Sequence, residues 1–174
     1  MFSNPVKNIE QFNIDPGMTV ADLGSGVGFY SIALAKAVGP SGKVYAVDIQ
    51  KELLSKLQTD AAQEGVHNIK LIWGDLDLPK SSTLQESSVD RVVLANILFQ
   101  IEEKDVLLEE AYRILKPGGK LLFVDWKDSY GGLGPKPSDV IKDDVAKTLL
   151  ESHNFKFDRD ILTGDHHYGF IVKK

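Results

Sequence analysis

Asp22 stands two positions before Gly24, Gly26 and Gly28 in the stretch Val20-Ala21-Asp22-Leu23-Gly24-Ser25-Gly26-Val27-Gly28-Phe29-Tyr30-Ser31. Glycine takes positive φ without strain and lets a ligand approach where no Cβ stands. An apolar, alanine-rich run from Phe29 to Val38 follows and reads as a helix, so turn and helix N-terminus together offer backbone N–H groups to a polar ligand. The spacing bears on which ligand. A pyrophosphate-binding turn uses G-x-G-x-x-G, with the helix dipole facing the phosphates. Here the order is G-x-G-x-G behind a carboxylate, which suits a ligand with a cationic amino-acid end, because like charges repel strongly in a site of low dielectric.

The elements that hold this turn follow from the hydrophobic pattern. Thr19–Leu23, Lys43–Asp48, Ile69–Trp73, Val89–Ala95 and Lys120–Trp126 read as five apolar strands. Between them, helices are predicted over 29–38, over 51–64 with Leu53, Leu54, Leu57, Ala61 and Ala62 inward and Gly65 as the C-cap, and over 102–115 with Val106, Leu108, Ala111, Tyr112 and Leu115 inward. Asp15-Pro16-Gly17, Gly39-Pro40-Ser41-Gly42 and Lys116-Pro117-Gly118-Gly119 are the breaks, and 78–88 reads as a loop. A short helix carrying Val6, Ile9 and Phe12 precedes the first strand. After a glycine- and proline-rich loop at 130–137, a helix is expected over 138–153 with Val140, Ile141, Val145, Leu149 and Leu150 inward. Phe155–Leu162 and Tyr168–Val172 then close the chain as a hairpin that adds an antiparallel edge. Strands alternating with helices, and apolar on both faces, predict an α/β fold: a doubly wound, mainly parallel seven-stranded sheet with helices on both faces and an antiparallel C-terminal hairpin strand. With no repeat or composition shift, residues 1–174 read as one domain, 1–14 being a short helical extension.

In such a sheet, ligands bind beyond the carboxyl ends of the strands. Strand one ends at Asp22 and the glycines, strand two at Asp48, strand three at Gly74-Asp75, strand four at Asn96 and strand five at Asp125-Trp126-Lys127. Three acidic residues at three successive strand ends form one constellation. Each also has a plainer use: Asp48 suits a cap on the helix starting near Lys51, Gly74-Asp75 suits a turn, Trp73 and Trp126 suit packing, and His166 and His167 suit a loop. No set of three or four convergent ligands suggests a metal site.

From about Asp15 onward the chain resembles the class I S-adenosylmethionine-dependent methyltransferases, in the small type 11 or type 31 branch. The resemblance lies in Asp22 with Gly24, Gly26 and Gly28, in Asp48 and Asp75, in Leu115-Lys116-Pro117-Gly118-Gly119, and in Val124-Asp125-Trp126-Lys127, Gly134-Pro135 and His167-Tyr168. It implies a Rossmann-like fold and S-adenosyl-L-methionine as cofactor, released as S-adenosyl-L-homocysteine. It implies that Asp22, Gly24, Ser25, Gly26 and Gly28 hold the methionine end, that Asp48 accepts from the ribose hydroxyls, that Gly74-Asp75 faces the adenine amino group, and that Ile49 and Leu76 flank the ring, with Asn96 at the next strand end. No catalytic residue is singled out; Asn96, Asp125 and His167 are the polar candidates on the substrate side. The chain has Asn96-Ile97-Leu98-Phe99 where amino-methylating enzymes carry Asn-Pro-Pro-Tyr, lacks the ribose-methylating tetrad, and has no cysteine for thiol-dependent arsenic methylation. A small-molecule acceptor methylated on oxygen, carbon or nitrogen is therefore expected. The alternatives are methylation of RNA or protein, a cofactor-binding protein without transferase activity, and a nicotinamide-dependent oxidoreductase, against which the glycine spacing and the lack of Tyr-x-x-x-Lys speak.

Composition narrows the setting. The chain is 43% hydrophobic and 26% charged, with a net charge of −5 and scattered Lys and Arg, which argues against a nucleic-acid partner. No apolar run approaches the roughly 20 residues that cross a bilayer, and Met1-Phe2-Ser3-Asn4-Pro5 does not look like a signal peptide, so a cytoplasmic protein is expected. The short segment before strand one and the short loop after strand five predict an exposed pocket, completed by a second copy in a homodimer or by a large substrate.

Overall fold

The computed structural model describes residues 3–132 and 134–174. Met1 and Phe2 of the N-terminal stretch and Leu133 of the glycine-rich loop lie outside the described residues. Seven strands, β1 (Thr19–Leu23), β2 (Lys43–Asp48), β3 (Ile69–Trp73), β4 (Val89–Ala95), β5 (Leu115–Trp126), β6 (Lys156–Asp160) and β7 (His167–Lys173), form one sheet in the order β3-β2-β1-β4-β5-β7-β6. The order reverses between β1 and β4, which opens a crevice at their carboxyl ends.

Pairing is parallel from β3 across to β5; β7 runs antiparallel to both β5 and β6. The antiparallel strand is therefore one place inside the sheet, and the edge strand β6 runs parallel with the rest. That corrects the expectation of an antiparallel edge. The β6–β7 turn folds β7 back into the gap beside β5, where Leu121, Leu122, Phe123 and Val124 meet Val172, Ile171, Phe170 and Gly169.

Alternate residues along each strand separate two cores. Ala21, Leu23, Val92, Leu94, Leu121 and Phe123 face α4 (Lys104–Ile114) and α5 (Asp143–Ser152). Val20, Val44, Val93, Leu122, Val124 and Ile171 face α1 (Pro5–Glu10) and α2 (Phe29–Val38), and Ile32, Ala46, Leu57 and Ala61 join α2 to α3 (Lys51–Gln63). β1 to β4, α2 and α3 fall where the apolar runs put them, and 78–88 is a loop. Two helices turn differently from expectation. α4 buries Leu107 rather than Val106, and α5 starts only at Asp143, after a single 3₁₀ turn at Pro137–Asp139, burying Ala146 and Leu150 while Val145 is exposed. Lys116-Pro117-Gly118-Gly119 ends α4 but lies within β5, whose bulged start pairs Leu115 with Val89.

Candidate functional site

At the carboxyl ends of β1 and β2, backbone requirements come first. Gly24, Gly26 and Gly28 all have positive φ, at 82°, 54° and 89°, yet their surroundings differ. A Cβ on Gly28 would stand 2.1 Å from Leu57 of α3, and one on Gly24 would stand 2.7 Å from Ile97. Those two glycines let neighbouring elements close up. A Cβ on Gly26 would meet nothing within 4 Å, so Gly26 alone presents bare backbone to open space.

Asp48 ties this turn to the next strand. Its Oδ2 accepts from Gly26 N–H at 2.8 Å and its Oδ1 from Gln50 N–H at 2.9 Å. The carboxylate thus closes the β2–α3 turn ahead of the helix, whose N-cap is Gln50 and not Asp48, and also holds the glycine turn, while each oxygen keeps a lone pair for a ligand. Asp75 accepts from Asp77 N–H at 3.0 Å, and Gly74 is glycine because a Cβ there would stand 2.5 Å from Ser81 O. Gly24, Gly26, Asp48, Ile49, Gly74, Asp75 and Leu76 line one cavity of about 220 Å³. Ile49 is exposed, whereas Leu76 is buried in the core with one side toward that cavity.

A second cavity, about 380 Å³, lies on the other side of the same glycine turn and shares Gly24, Gly26 and Gln100 with the first. Asp22, Ser25, Tyr30, Asn96, Trp126 and His167 line it, together with Ser3 and Pro5 from the start of the chain. Together the two have the size of a cleft for one cofactor-sized ligand, about 300–1,000 Å³. Asp22 is 2% exposed and accepts from Ser31 Oγ at 2.6 Å. Burial, aided by the charge of Asp48, pushes its carboxyl up to about 7, so it is poised to ionise beside an incoming cation. Ser25 Oγ, Asn96 Oδ1 and His167 Nδ1 are buried without a hydrogen-bond partner. Three orphaned polar atoms around one cavity are what a polar ligand would satisfy.

Asp125 goes elsewhere. It is paired across the sheet with Tyr168 and faces the α5 side, whereas its neighbour Trp126 pairs with His167 on the α2 side. Its Oδ1 accepts from Trp126 N–H at 2.8 Å, and burial raises its carboxyl to about 7. Of the three substrate-side candidates, the structure brings Asn96 and His167 to the cavity and leaves Asp125 behind the sheet. It adds Tyr30, Gln100 and Trp126. Tyr30 follows the glycine turn directly, and its hydroxyl is fixed by Asn8 Nδ2, donating at 2.6 Å, which ties α1 to the cavity wall. Among the described residues no group of His, Asp or Glu could hold a metal ion, and no helix is long and apolar enough to cross a membrane.

Residues 14–158 match the methyltransferase-domain family, type 31, over most of the chain, from the glycine turn through Asp48, Asp75, Asn96 and Trp126, with Ser3, Pro5 and His167 of the cleft outside the match. The chain belongs to that family. A solved structure of an S-adenosylmethionine-dependent methyltransferase from Aquifex aeolicus is 30% identical and superposes with a TM-score of 0.88, covering 99% of this chain and 90% of that chain. An arsenite methyltransferase from Halobacterium salinarum is 34% identical over 134 residues, 76% of this chain and 32% of that protein. A demethylmenaquinone methyltransferase from a Geobacillus species is 31% identical over 118 residues, 67% of this chain and 49% of that protein. The chain thus spans a third to a half of the length of these curated relatives.

Proposed function

We propose that this methyltransferase-family chain transfers a methyl group from S-adenosyl-L-methionine to a small molecule, at oxygen, carbon or nitrogen. The observation that carries the reading is that Asp22, Gly26, Asp48 and Asp75, from three successive strand ends, open on one divided cleft, with the bare backbone of Gly26 at its centre. The residues fit the cofactor's parts. Asp22 faces its cationic amino group, Gly24 to Gly28 its methionine chain, Asp48 the ribose hydroxyls, and Gly74-Asp75 with Ile49 and Leu76 the adenine; Ser25 and Asn96 supply the remaining polar atoms. When bound, the cofactor brings a sulfonium methyl group that needs only an aligned nucleophile. The chain's part is to fix that alignment and keep water out. Asn96 and His167 face the side of the cavity where the acceptor has to enter.

The names of the relatives, an arsenite and a demethylmenaquinone methyltransferase, support a small-molecule acceptor. Arsenic is disfavoured because this chain holds no cysteine thiol. The reading takes residues 1–174 as one methyltransferase domain, in which Ser3 and Pro5 of the 1–14 extension wall the inner cavity. Phe29, 73% exposed at the rim, is where a second copy would complete the cavity; light scattering tests that dimer.

Calorimetry with S-adenosyl-L-methionine, S-adenosyl-L-homocysteine and NAD tests the cofactor. The first two should bind and NAD should not; tight binding of NAD alone would overturn the reading. Label transfer from the methyl donor into a metabolite extract then separates an enzyme from a silent binder.

A further inference from the structure

Trp73 is the last residue of β3 and is 61% exposed, although Ile69 and Leu71, on the same face of the strand, pack against the cluster that joins α2 to α3. A large aromatic side chain left mostly in water gains little from burial, so its polar edge has to account for its place. The indole Nε1–H donates to Ile49 O at 2.8 Å, and Lys51 Nζ stands over the ring, 4.0 Å from its centroid. An indole nitrogen can only donate. The carbonyl it meets lies just ahead of α3, whose own bonds begin one residue later, from Leu53 and Leu54 to Gln50 O.

That turn carries two parts of the cleft. Asp48 is fixed through its carboxylate by Gly26 N–H and Gln50 N–H, and through its carbonyl by Gly74 N–H at 3.1 Å. Ile49 comes next. Its side chain lines the cavity of about 220 Å³ and is half exposed, whereas Leu76 and Ile101 of the same cavity are buried and held by the core. The backbone has only two soft dihedrals per residue, so pinning the Ile49 carbonyl fixes how the chain turns there and where its side chain points. Trp73 supplies the pin from the neighbouring strand, whose last residue pairs with Asp48.

We propose that Trp73 is a positioning residue for the adenine ring of the cofactor: the indole holds the Ile49 carbonyl, and the Ile49 side chain is thereby set against the face of the ring. The inference rests on the methyltransferase reading of the cleft. Trp73 acts through Ile49 and does not itself touch the ring. Its contribution is pre-organisation, since a half-exposed side chain already in its bound position loses little freedom when the ring arrives. The Lys51 ammonium over the indole helps to keep the indole itself in place.

The test uses S-adenosyl-L-homocysteine and 5′-methylthioadenosine, which has the adenine and the ribose but no amino-acid end. Trp73→Phe keeps an aromatic ring and removes the N–H. In calorimetry it should raise Kd for both ligands by the same factor, roughly three- to tenfold, the worth of one hydrogen bond. The Tm of the free protein should stay within about 2 °C, because the side chain is exposed. Ile49→Ala should also weaken both ligands. Adding Trp73→Phe to it should cost little more than Ile49→Ala alone, a coupling that a merely structural loss would not show. The unaltered protein has two tryptophans, and the indole N–H resonance of Trp73, identified by its contact with Lys51, should shift when 5′-methylthioadenosine is added. That measurement keeps the proposal testable if Trp73→Phe does not fold. Unchanged affinity in Trp73→Phe, a loss confined to S-adenosyl-L-homocysteine, full additivity with Ile49→Ala, or an unmoved Trp73 resonance overturns the proposal. If neither ligand binds the unaltered protein, the underlying reading fails instead.

Discussion

Replacing Asp22 with asparagine should stabilise the free protein and weaken its hold on the cofactor, and both effects follow from one buried carboxyl. The folded state raises Asp22 from 3.8 to about 7, chiefly through burial. The unfolded chain therefore gives up this proton first as pH rises. Folding stability is lost progressively between about pH 4 and pH 7, and the full cost is felt above that window. A shift of this size corresponds to about 4 kcal/mol at 1.36 kcal/mol per unit. An asparagine side chain at this position has no such cost. The amide keeps an oxygen for Ser31 Oγ, and its new N–H₂ group borders the inner cavity. Whatever that group contributes is independent of pH, so the slope is diagnostic. The stability gap between Asp22→Asn and the unaltered protein should widen by about 2.5 kcal/mol from about pH 5 to about pH 8. In a chain of this length that is a relative rise in Tm of about 5–10 °C. Thermal unfolding without ligand, across that range, measures it. With S-adenosyl-L-homocysteine added, the order should reverse, because the ionised carboxylate of the unaltered protein meets the ligand's ammonium group and gains linkage stabilisation. A gap that does not change with pH would refute the burial argument; equal ligand-induced shifts in the two proteins would refute the role given to Asp22.

Asp48→Ala should weaken S-adenosyl-L-homocysteine binding by about 1.5–3 kcal/mol, the range for hydrogen bonds to a charged group, read by calorimetry; unchanged affinity in a folded variant would leave Asp48 with only its Gly26 and Gln50 contacts. The glycines should part company under alanine substitution. Gly26→Ala should fold at a backbone cost of about 1 kcal/mol and lose cofactor affinity, whereas Gly28→Ala, forced against Leu57, should lower Tm steeply; equal behaviour of the two in a melt would contradict the packing. Glu110→Gln should lower stability by about 1–3 kcal/mol in denaturant titration, because Glu110 is buried between Ser82 Oγ and the Arg113 guanidinium, 2.8 Å away, and its loss leaves Arg113 with only its bond to Leu84 O. Asp125→Asn should stabilise the protein increasingly between about pH 4 and pH 7, in full above that window, and leave cofactor affinity alone, since Asp125 faces away from the cleft; a changed affinity would place it back in the site.

The parts of this molecule that could be read in the chain are those fixed by local pattern. β1 to β4 are continuous apolar runs bounded by turns, and each ends in the polar residue that faces the cleft, so Asp22, Asp48, Asp75 and Asn96 could be placed without knowing the sheet order. Residues whose position depends on distant pairing could not. Whether Asp125 or Trp126 faces the inner cavity turns on which face of β5 is covered by α2, and His167 reaches that cavity only because β7 inserts beside β5. The start of α5 was hidden for another reason. Valine at 145 outweighs alanine at 146 on any hydropathy scale, yet the helix packs its small residue inward and leaves the larger one exposed. The division of labour among the glycines was also invisible, since it depends on Ile97 and Leu57, far along the chain.

The insertion of β7 between β5 and β6 has a bearing on how the sheet is assembled. β6 touches the rest of the sheet only through β7, so until β7 docks, β5 is an open edge presenting Leu121 to Val124. An unpaired apolar edge of that kind is a template for other chains. Lys174 fastens the incoming strand, its backbone N–H donating to Gly119 O and its ammonium to Tyr112 O and Leu115 O. A chain that loses its last strand should therefore self-associate, and its aggregation should be relieved by a peptide carrying the β7 sequence.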